Sequence, residues 1–162
     1  IYRRLKHGRR HLQDREFIGV LEGIVEEYGI RKQLLELEIT ETMEAHVSQA
    51  AREMKEQGFK LLMDDFGSGY SSLNTLKDLD IAELKLDKEF LSEQSTSPRG
   101  QVVIESIIHL AKALSITTVA EGIENEVQLR FLQSVSCDIG QGYYFAKPMP
   151  ADEFEERILG HV

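Results

Sequence analysis

The sequence predicts a parallel α/β fold and favours a (βα)8 barrel over a doubly wound sheet. Segments with strand-like alternation of apolar residues are separated by segments with helical periodicity, a pattern typical of βα units. Two predicted strands, Leu35–Thr40 and Ile81–Leu86, have one apolar face and one charged face. A barrel strand can pack one face on the helices and line a polar mouth with the other, whereas helices cover both faces of a doubly wound sheet. We therefore expect a barrel.

Size and composition indicate one globular domain. The chain has 162 residues, of which 41% are hydrophobic and 29% charged, which is enough for a real core. No apolar run approaches the roughly 18–20 residues of a membrane span, and no signal-peptide pattern opens the chain, so we expect no membrane association. The single cysteine, Cys137, excludes an intramolecular disulfide and fits a cytoplasmic location.

The charge is acidic and unevenly distributed. The formal net charge is −9, yet residues 1–16 contain six basic and only two acidic residues. A chain this acidic is a poor non-specific binder of DNA. It could bind an anionic ligand only if bound cations reversed the local potential. We expect the basic segment 1–11 to be a possible solvated tail and residues 12–162 to form the barrel core.

The first half of the chain predicts two helices and three strands. Apolar residues at helical spacing mark a helix over residues 14–29, and a second helix runs from about Val47 to a stop at Gly58. Leu35–Thr40 and Phe59–Met63 are the first two strands. A helical turn near Ser71–Leu76 precedes the third strand, Ile81–Leu86.

The second half continues the alternation after a predicted loop. Ser92–Gly100 is rich in Ser, Pro and Gly and therefore predicts a loop, followed by a long helix through Ile104 and Leu114. The remaining predicted elements are a strand at Ile116–Ala120, a helix at Asn125–Val135, a strand at Ile139–Phe145 and a helix at Asp152–Leu159. About five βα units are visible, whereas a full barrel takes about 250 residues, so we expect an incomplete barrel.

Charged residues gather at the carboxyl ends of these strands. In strand order they are Glu38 and Glu41, Asp64 and Asp65, Lys85 and Asp87, Glu121 and Glu124, and the segment Gly140-Gln141-Gly142. The carboxyl ends of barrel strands meet at one rim, so acids distant in sequence should converge there. Several carboxylates around one mouth suit Mg²⁺ or Mn²⁺, and a pair of such ions is a recurring device for phosphoester cleavage.

The residues alone leave alternatives open. Lys85 could lower the pKa of a water, position it or accept its proton, or it could simply form an ion pair with a neighbouring acid. A barrel similar to enolase, with metal-binding acids and a lysine base, is a further alternative. The adjacent pair Asp64–Asp65 and the segment Gly140–Tyr143 argue against it.

The motifs, taken together, resemble those of the EAL-domain family. They are Leu37-Glu38-Ile39-Thr40-Glu41, the stretch Asp64–Leu73, Lys85-Leu86-Asp87, Ala120-Glu121-Gly122-Ile123-Glu124, Gly140-Gln141-Gly142-Tyr143 and Phe145-Ala146-Lys147-Pro148. The resemblance extends from about Leu12 to the C-terminus. It implies a modified (βα)8 barrel of EAL type that hydrolyses cyclic di-GMP to linear pGpG with two Mg²⁺ or Mn²⁺ ions in bacterial signalling.

The resemblance also implies residue roles. Glu38, Asp64 and Glu121 would be metal ligands, with Asp65 on the second ion. Lys85 would hold or activate the attacking water, which makes Lys85, Glu121 and Asp64 the implied catalytic set. Residues implied to support the substrate or the loop Phe66–Ser72 are Glu41, Gly67, Ser68, Asp87, Glu124, Gln141 and Gly142.

Two departures from the family pattern bear on activity. The Glu-Ala-Leu motif, whose glutamate is a metal ligand, would lie upstream of this sequence, and Lys6-His7-Gly8 stands where the family has Asn-x-Ser. We therefore expect this chain to hydrolyse cyclic di-GMP weakly or not at all. The alternative is a non-catalytic receptor for cyclic di-GMP or a protein-interaction module. A homodimer, and a sensor or GGDEF domain in a longer parent protein, are the expected partners.

Overall fold

The computed structural model describes residues 3–6, 15–40, 47–67, 76–77 and 79–159 and contains one six-stranded sheet. Every pairing is parallel, and the spatial order of the strands is the order of the chain. The strands are β1 (Arg3–Lys6), β2 (Leu35–Thr40), β3 (Lys60–Phe66), β4 (Glu83–Leu86), β5 (Thr117–Ala120) and β6 (Ile139–Gly140). A doubly wound sheet reverses its strand order at a switch point, whereas a barrel wall does not. The predicted barrel type is therefore confirmed.

Helical segments connect the strands. They are α1 (Arg15–Glu27), α2 (Val47–Glu56), α3 (Lys88–Ser95), α4 (Pro98–Ala113), α5 (Glu126–Ser134) and α6 (Ala151–Phe154), with a 3-10 turn at Lys32–Leu34 and a π-helical turn at Glu155–Leu159. None of the helices in the described ranges is long and apolar enough to cross a membrane.

The apolar core lies between the sheet and the helix layer. It includes Leu37 and Ile39 of β2, Leu84 and Leu86 of β4, and Ile104 and Ile108 of α4, each at most 1% exposed. Alternate positions of β2, β3 and β4 carry charged side chains that are also buried, among them Glu36, Glu38, Asp64, Glu83 and Lys85. This two-faced pattern is what the sequence predicted for a barrel wall, and it places ionisable groups on the inner side of the sheet.

The first strand is a correction to the sequence analysis. Arg3–Lys6 lies within the basic segment 1–11, for which we expected a tail, yet it pairs in parallel with β2 from Arg3 opposite Leu35 to Lys6 opposite Glu38. Three of its four residues are basic, so no apolar alternation marked it as a strand. Charged side chains are a common feature of edge strands, and the sheet therefore has six strands where five were expected.

Two further boundaries differ for local reasons. The predicted loop Ser92–Gly100 is mostly helical, because Ser97 caps α4 by accepting a hydrogen bond from the Gly100 N–H at 3.0 Å, and Pro98 occupies the first turn. The predicted strand Ile139–Phe145 ends at Gly140. Beyond it the backbone bonds to the loop after β5, with the Tyr144 N–H donating to the carbonyl of Ile123.

The other predicted elements agree with the structure in type. Gly58, at φ +91°, follows the end of α2, and Asn125 caps α5 by accepting from the Gln128 N–H at 3.0 Å. The apolar stripe expected on α1 is only partly buried, since Val20 and Ile24 are exposed. The helical turn expected at Ser71–Leu76 lies outside the described residues except for Leu76.

We predict that Gly23→Ala stabilises the protein by about 0.5–1 kcal/mol. Gly23 lies inside α1 with open space where a Cβ would be placed, so the substitution restricts the unfolded chain without a clash. Urea unfolding monitored by circular dichroism measures the free energy of unfolding. Gly29→Ala is the matched control and should lose about 1–2 kcal/mol, because Gly29 has φ +59°. Equal effects at both positions would contradict the assigned backbone geometry.

Candidate active site

One ammonium group binds three carboxylates at the rim of the sheet. The Nζ of Lys85 lies 2.9 Å from Oε1 of Glu38, 2.7 Å from Oδ1 of Asp64 and 2.8 Å from Oε1 of Glu121. The side chains of Lys85, Glu38 and Asp64 are at most 7% exposed, while that of Glu121 is 24% exposed. We call these four residues the Lys85 cluster.

Parallel pairing places the cluster. Glu38 and Asp64 lie near the carboxyl ends of β2 and β3, and Lys85 lies near that of β4. Glu121 follows the last residue of β5, where its N–H donates to the carbonyl of Leu86 at 3.1 Å. Because neighbouring parallel strands end at one edge, four residues spread over more than 80 positions of the chain meet there.

The electrostatics keep Lys85 charged. Burial alone would lower the pKa of Lys85, but its hydrogen bonds to Asp64, Glu121 and Glu38 outweigh that effect and raise the pKa above its usual value. At neutral pH the ammonium therefore carries its proton in this arrangement. The cluster itself contains three carboxylates and one ammonium, so acidic groups outnumber the basic one.

The end of β3 is irregular where the two aspartates occur. The register with β4 shifts between Met63 and Phe66, and Asp65 has φ +54°. A left-handed conformation costs a non-glycine residue about 1–2 kcal/mol, and such strain is often found at functional sites. Asp64 is buried and Asp65 only half-buried, so the bulge gives the two acids different environments.

The predicted supporting residues Gly67 and Asp87 frame the start of α3. Gly67 has φ +97°, and a Cβ there would overlap the ring of Phe90. Asp87 accepts hydrogen bonds from the N–H groups of Glu89 at 2.8 Å and Phe90 at 3.1 Å. Asp87 therefore acts as the N-terminal cap of α3.

Glu124 forms an ion pair that the sequence analysis did not anticipate. The Nζ of Lys88 lies 2.6 Å from Oε1 of Glu124, and both side chains are half exposed. The aliphatic part of the Lys88 side chain packs against Gly122, and a Cβ at Gly122 would overlap that side chain. The signal that could have identified Lys88 is its position three residues beyond Lys85, directly after the end of a strand.

A small cleft borders the Lys85 cluster. Its volume is about 210 Å³, and its lining residues are Lys88, Glu121, Gly122, Glu124, Gln141, Gly142 and Tyr143. Tyr143 is 58% exposed at the edge of this cleft. The cleft thus joins Gln141 and Gly142 to Glu121, as the sequence predicted for this rim.

The structure does not test every predicted site residue. Glu41 and Ser68 lie outside the described residues, and their roles stay predictions. Glu38, Asp64, Lys85 and Glu121 are brought into direct contact, whereas Gln141 and Glu124 lie beside that cluster in the cleft.

The donor set fits a hard divalent cation. Within the described ranges, no three His, Cys, Asp or Glu side chains are arranged to hold an ion directly; the three carboxylates of the cluster are instead gathered around Nζ of Lys85. Their oxygens are the ligand type that Mg²⁺ and Mn²⁺ prefer.

Comparisons with known proteins agree with this geometry. The family model described as EAL domain matches residues 5–148. The cyclic di-GMP phosphodiesterase RocR of Pseudomonas aeruginosa is 38% identical over 144 residues, which cover 86% of this chain and 37% of RocR.

Solved structures of EAL proteins are also similar to this chain. An EAL domain protein from Listeria monocytogenes EGD-e superposes with a TM-score of 0.86 at 32% identity, covering 98% of this chain and 65% of that chain. BlrP1 of Klebsiella pneumoniae, in a manganese/cy-diGMP complex, superposes with a TM-score of 0.81 at 29% identity, covering 90% and 38%. The chain thus spans less than two thirds of each of these three relatives.

We predict that Gly142→Ala destabilises the protein by about 1–3 kcal/mol. A Cβ at Gly142 would overlap the backbone N and O of Ile123, and backbone cannot yield as a flexible side chain can. Urea unfolding measures the loss, with Gly19→Ala as control, because nothing lies within 4 Å of a Cβ there. A neutral Gly142→Ala would show that the loop does not pack against Ile123 in this way.

Proposed function

Because this chain belongs to the EAL domain family, we propose that it acts on cyclic di-GMP as a metal-dependent phosphodiesterase in bacterial signalling. The product would be linear pGpG. The observation that carries the proposal is the Lys85 cluster, in which three carboxylates from three different strands converge on one point at the rim. A pure structural role would not require so many buried acids at one strand edge.

The metal ligands of this proposal are Glu38, Asp64 and Glu121, with Asp65 on a second ion. A bound Mg²⁺ or Mn²⁺ would supply Lewis-acid activation of the phosphodiester and of the attacking water. The contacts of the cluster support the first three assignments. The half-buried position of Asp65, next to Asp64 in the irregular end of β3, supports the fourth. BlrP1, a relative of this chain, has been solved with manganese.

Lys85 is proposed to hold the attacking water rather than to remove its proton. Burial lowers the pKa of Lys85, but the hydrogen bonds to Asp64, Glu121 and Glu38 raise it overall. In the arrangement seen here the side chain is therefore an ammonium that can donate hydrogen bonds. Gln141, Gly142 and Glu124 are proposed to contact the substrate from the cleft. Glu41 is proposed to anchor the loop Phe66–Ser72, which includes Gly67 and Ser68.

The charge of the chain makes bound cations essential to this proposal. A net charge of −9 repels an anionic dinucleotide, and the cluster places three carboxylates at the rim. Divalent ions would reverse the local potential and so couple ligand affinity to metal binding.

A receptor without turnover is the second candidate function. It is favoured by one observation: Lys6, at the end of β1 and in register with Glu38, occupies the position where the family pattern has an asparagine ligand. In that case the chain would bind cyclic di-GMP and hydrolyse it weakly or not at all.

The partners are also proposed. Curated relatives are several times longer than the chain; it spans 19% of the signaling protein YkoW of Bacillus subtilis. A sensor or GGDEF domain in the parent protein would supply the regulatory input. A cytoplasmic location stays a prediction from sequence.

The substrate assignment predicts metal-dependent binding of cyclic di-GMP. Calorimetry in Ca²⁺ should detect binding that EDTA abolishes, and Asp64→Asn should weaken it by about 10–100-fold. Asp80→Asn is the control, since Asp80 precedes β4 at the opposite edge and is 79% exposed in an ion pair with Lys55. Chromatography of reactions with Mn²⁺ then distinguishes the two candidate functions. Formation of pGpG indicates the phosphodiesterase, and binding without product indicates the receptor. No binding in any cation would refute both.

Exposed apolar side chains predict a homodimer. Ile139 of β6 is 45% exposed, and Tyr144, Phe145 and Phe154 are 43–54% exposed nearby in sequence. Among the described residues, no further strand pairs with the outer edge of β1 or of β6. Such surfaces favour association. Light scattering coupled to size exclusion should give twice the chain mass of 18.5 kDa. A monomer at tens of micromolar would contradict this.

A further inference from the structure

The ammonium of Lys85 is engaged by three carboxylates in this structure. A lysine side chain has three N–H donors, and Lys85 has three carboxylate partners at 2.7–2.9 Å. Nζ donates hydrogen bonds to Glu38 and Asp64 and forms an ion pair with Glu121, so carboxylates surround the ammonium on three sides. The group that the proposed function assigns to the attacking water is therefore engaged elsewhere.

The same carboxylates are the groups that would bind a cation. Glu38 and Asp64 are almost completely buried, and each directs an oxygen to Nζ of Lys85. Two buried acids on adjacent strands repel each other unless a positive charge lies between them. In the arrangement seen here, that positive charge is supplied by the chain itself.

We propose that Lys85 is an internal counter-ion that holds the site together without metal and releases at least one carboxylate when a divalent cation binds. This inference rests on the metal site of the proposed function. Cation binding then has two effects: it replaces Lys85 as the partner of the acids, and it frees an N–H donor of Lys85 for the water or the substrate. Metal must therefore bind before Lys85 can take part in the reaction.

The Lys85 ammonium and a bound cation compete for the same carboxylate oxygens. This competition determines whether a substitution of Lys85 raises or lowers Ca²⁺ affinity. Removing the charge with Lys85→Met should lower the melting temperature in EDTA, because the acids lose their partner. It should also raise Ca²⁺ affinity by about tenfold, since the competing ammonium is gone. Lys85→Arg retains the charge and should not raise Ca²⁺ affinity.

The experiment compares the wild type, these two variants and a control, Lys55→Met, by calorimetric Ca²⁺ titration and by thermal unfolding with and without Ca²⁺. Lys55 pairs with the exposed Asp80 away from the rim, so its removal should leave Ca²⁺ affinity unchanged. We expect Ca²⁺ to raise the melting temperature of Lys85→Met more than that of the wild type. Unchanged or weaker Ca²⁺ binding by Lys85→Met would overturn the inference.

A measurement on the wild type covers the case in which Lys85→Met does not fold. In EDTA, ¹⁵N NMR of the lysine ammonium groups should show one slowly exchanging signal, and saturation with Ca²⁺ should shift it or speed its exchange. Ca²⁺ binding with that signal unchanged would overturn this inference alone. Absence of Ca²⁺ binding in every form would instead overturn the metal site of the proposed function and this inference with it.

Discussion

The contact between the Lys85 ammonium and three carboxylates constrains the whole rim of the sheet. Glu38, Asp64 and Glu121 come from separate strands, and each lies within 2.9 Å of the same nitrogen. Buried charges of one sign are unfavourable unless they are paired, and removing one partner of such a group typically costs about 3–5 kcal/mol. The register of β2, β3 and β4 and the position of the turn after β5 must therefore be correct together. The geometry of the site therefore cannot be correct unless the geometry of the sheet is correct.

The parts of this arrangement that depend on local pattern could be predicted from the sequence. Alternation in Leu35–Thr40 indicated a two-faced strand, and acids at strand ends indicated a shared rim, because parallel strands end together. Features that depend on tertiary contacts could not. Three of the four residues of β1 are basic, so its sequence lacks the apolar alternation of a strand. Its pairing with β2 is seen only in the structure. The ion pair between Lys88 and Glu124 joins segments 36 residues apart and has no local signature beyond the position of Lys88.

Charge links the site to the proposed ligand. The sheet directs buried acids inward, while the apolar core lies on the helix side, so the inner face of the barrel wall is negative. An anionic dinucleotide can approach such a face only when cations are bound. Lys6, at the end of β1 and opposite Glu38 in the strand register, is the residue on which the proposed receptor function without turnover rests. Metal binding and substrate turnover can therefore be separate properties of this chain.

The convergence of the acids on a metal is tested most directly by anomalous diffraction from crystals grown with MnCl₂. The account predicts a manganese peak within bonding distance of carboxylate oxygens of Glu38, Asp64 and Glu121, with the Lys85 ammonium displaced from at least one of them. Absence of such a peak in crystals of the folded protein, or a manganese ion bound only elsewhere on the surface, would contradict it.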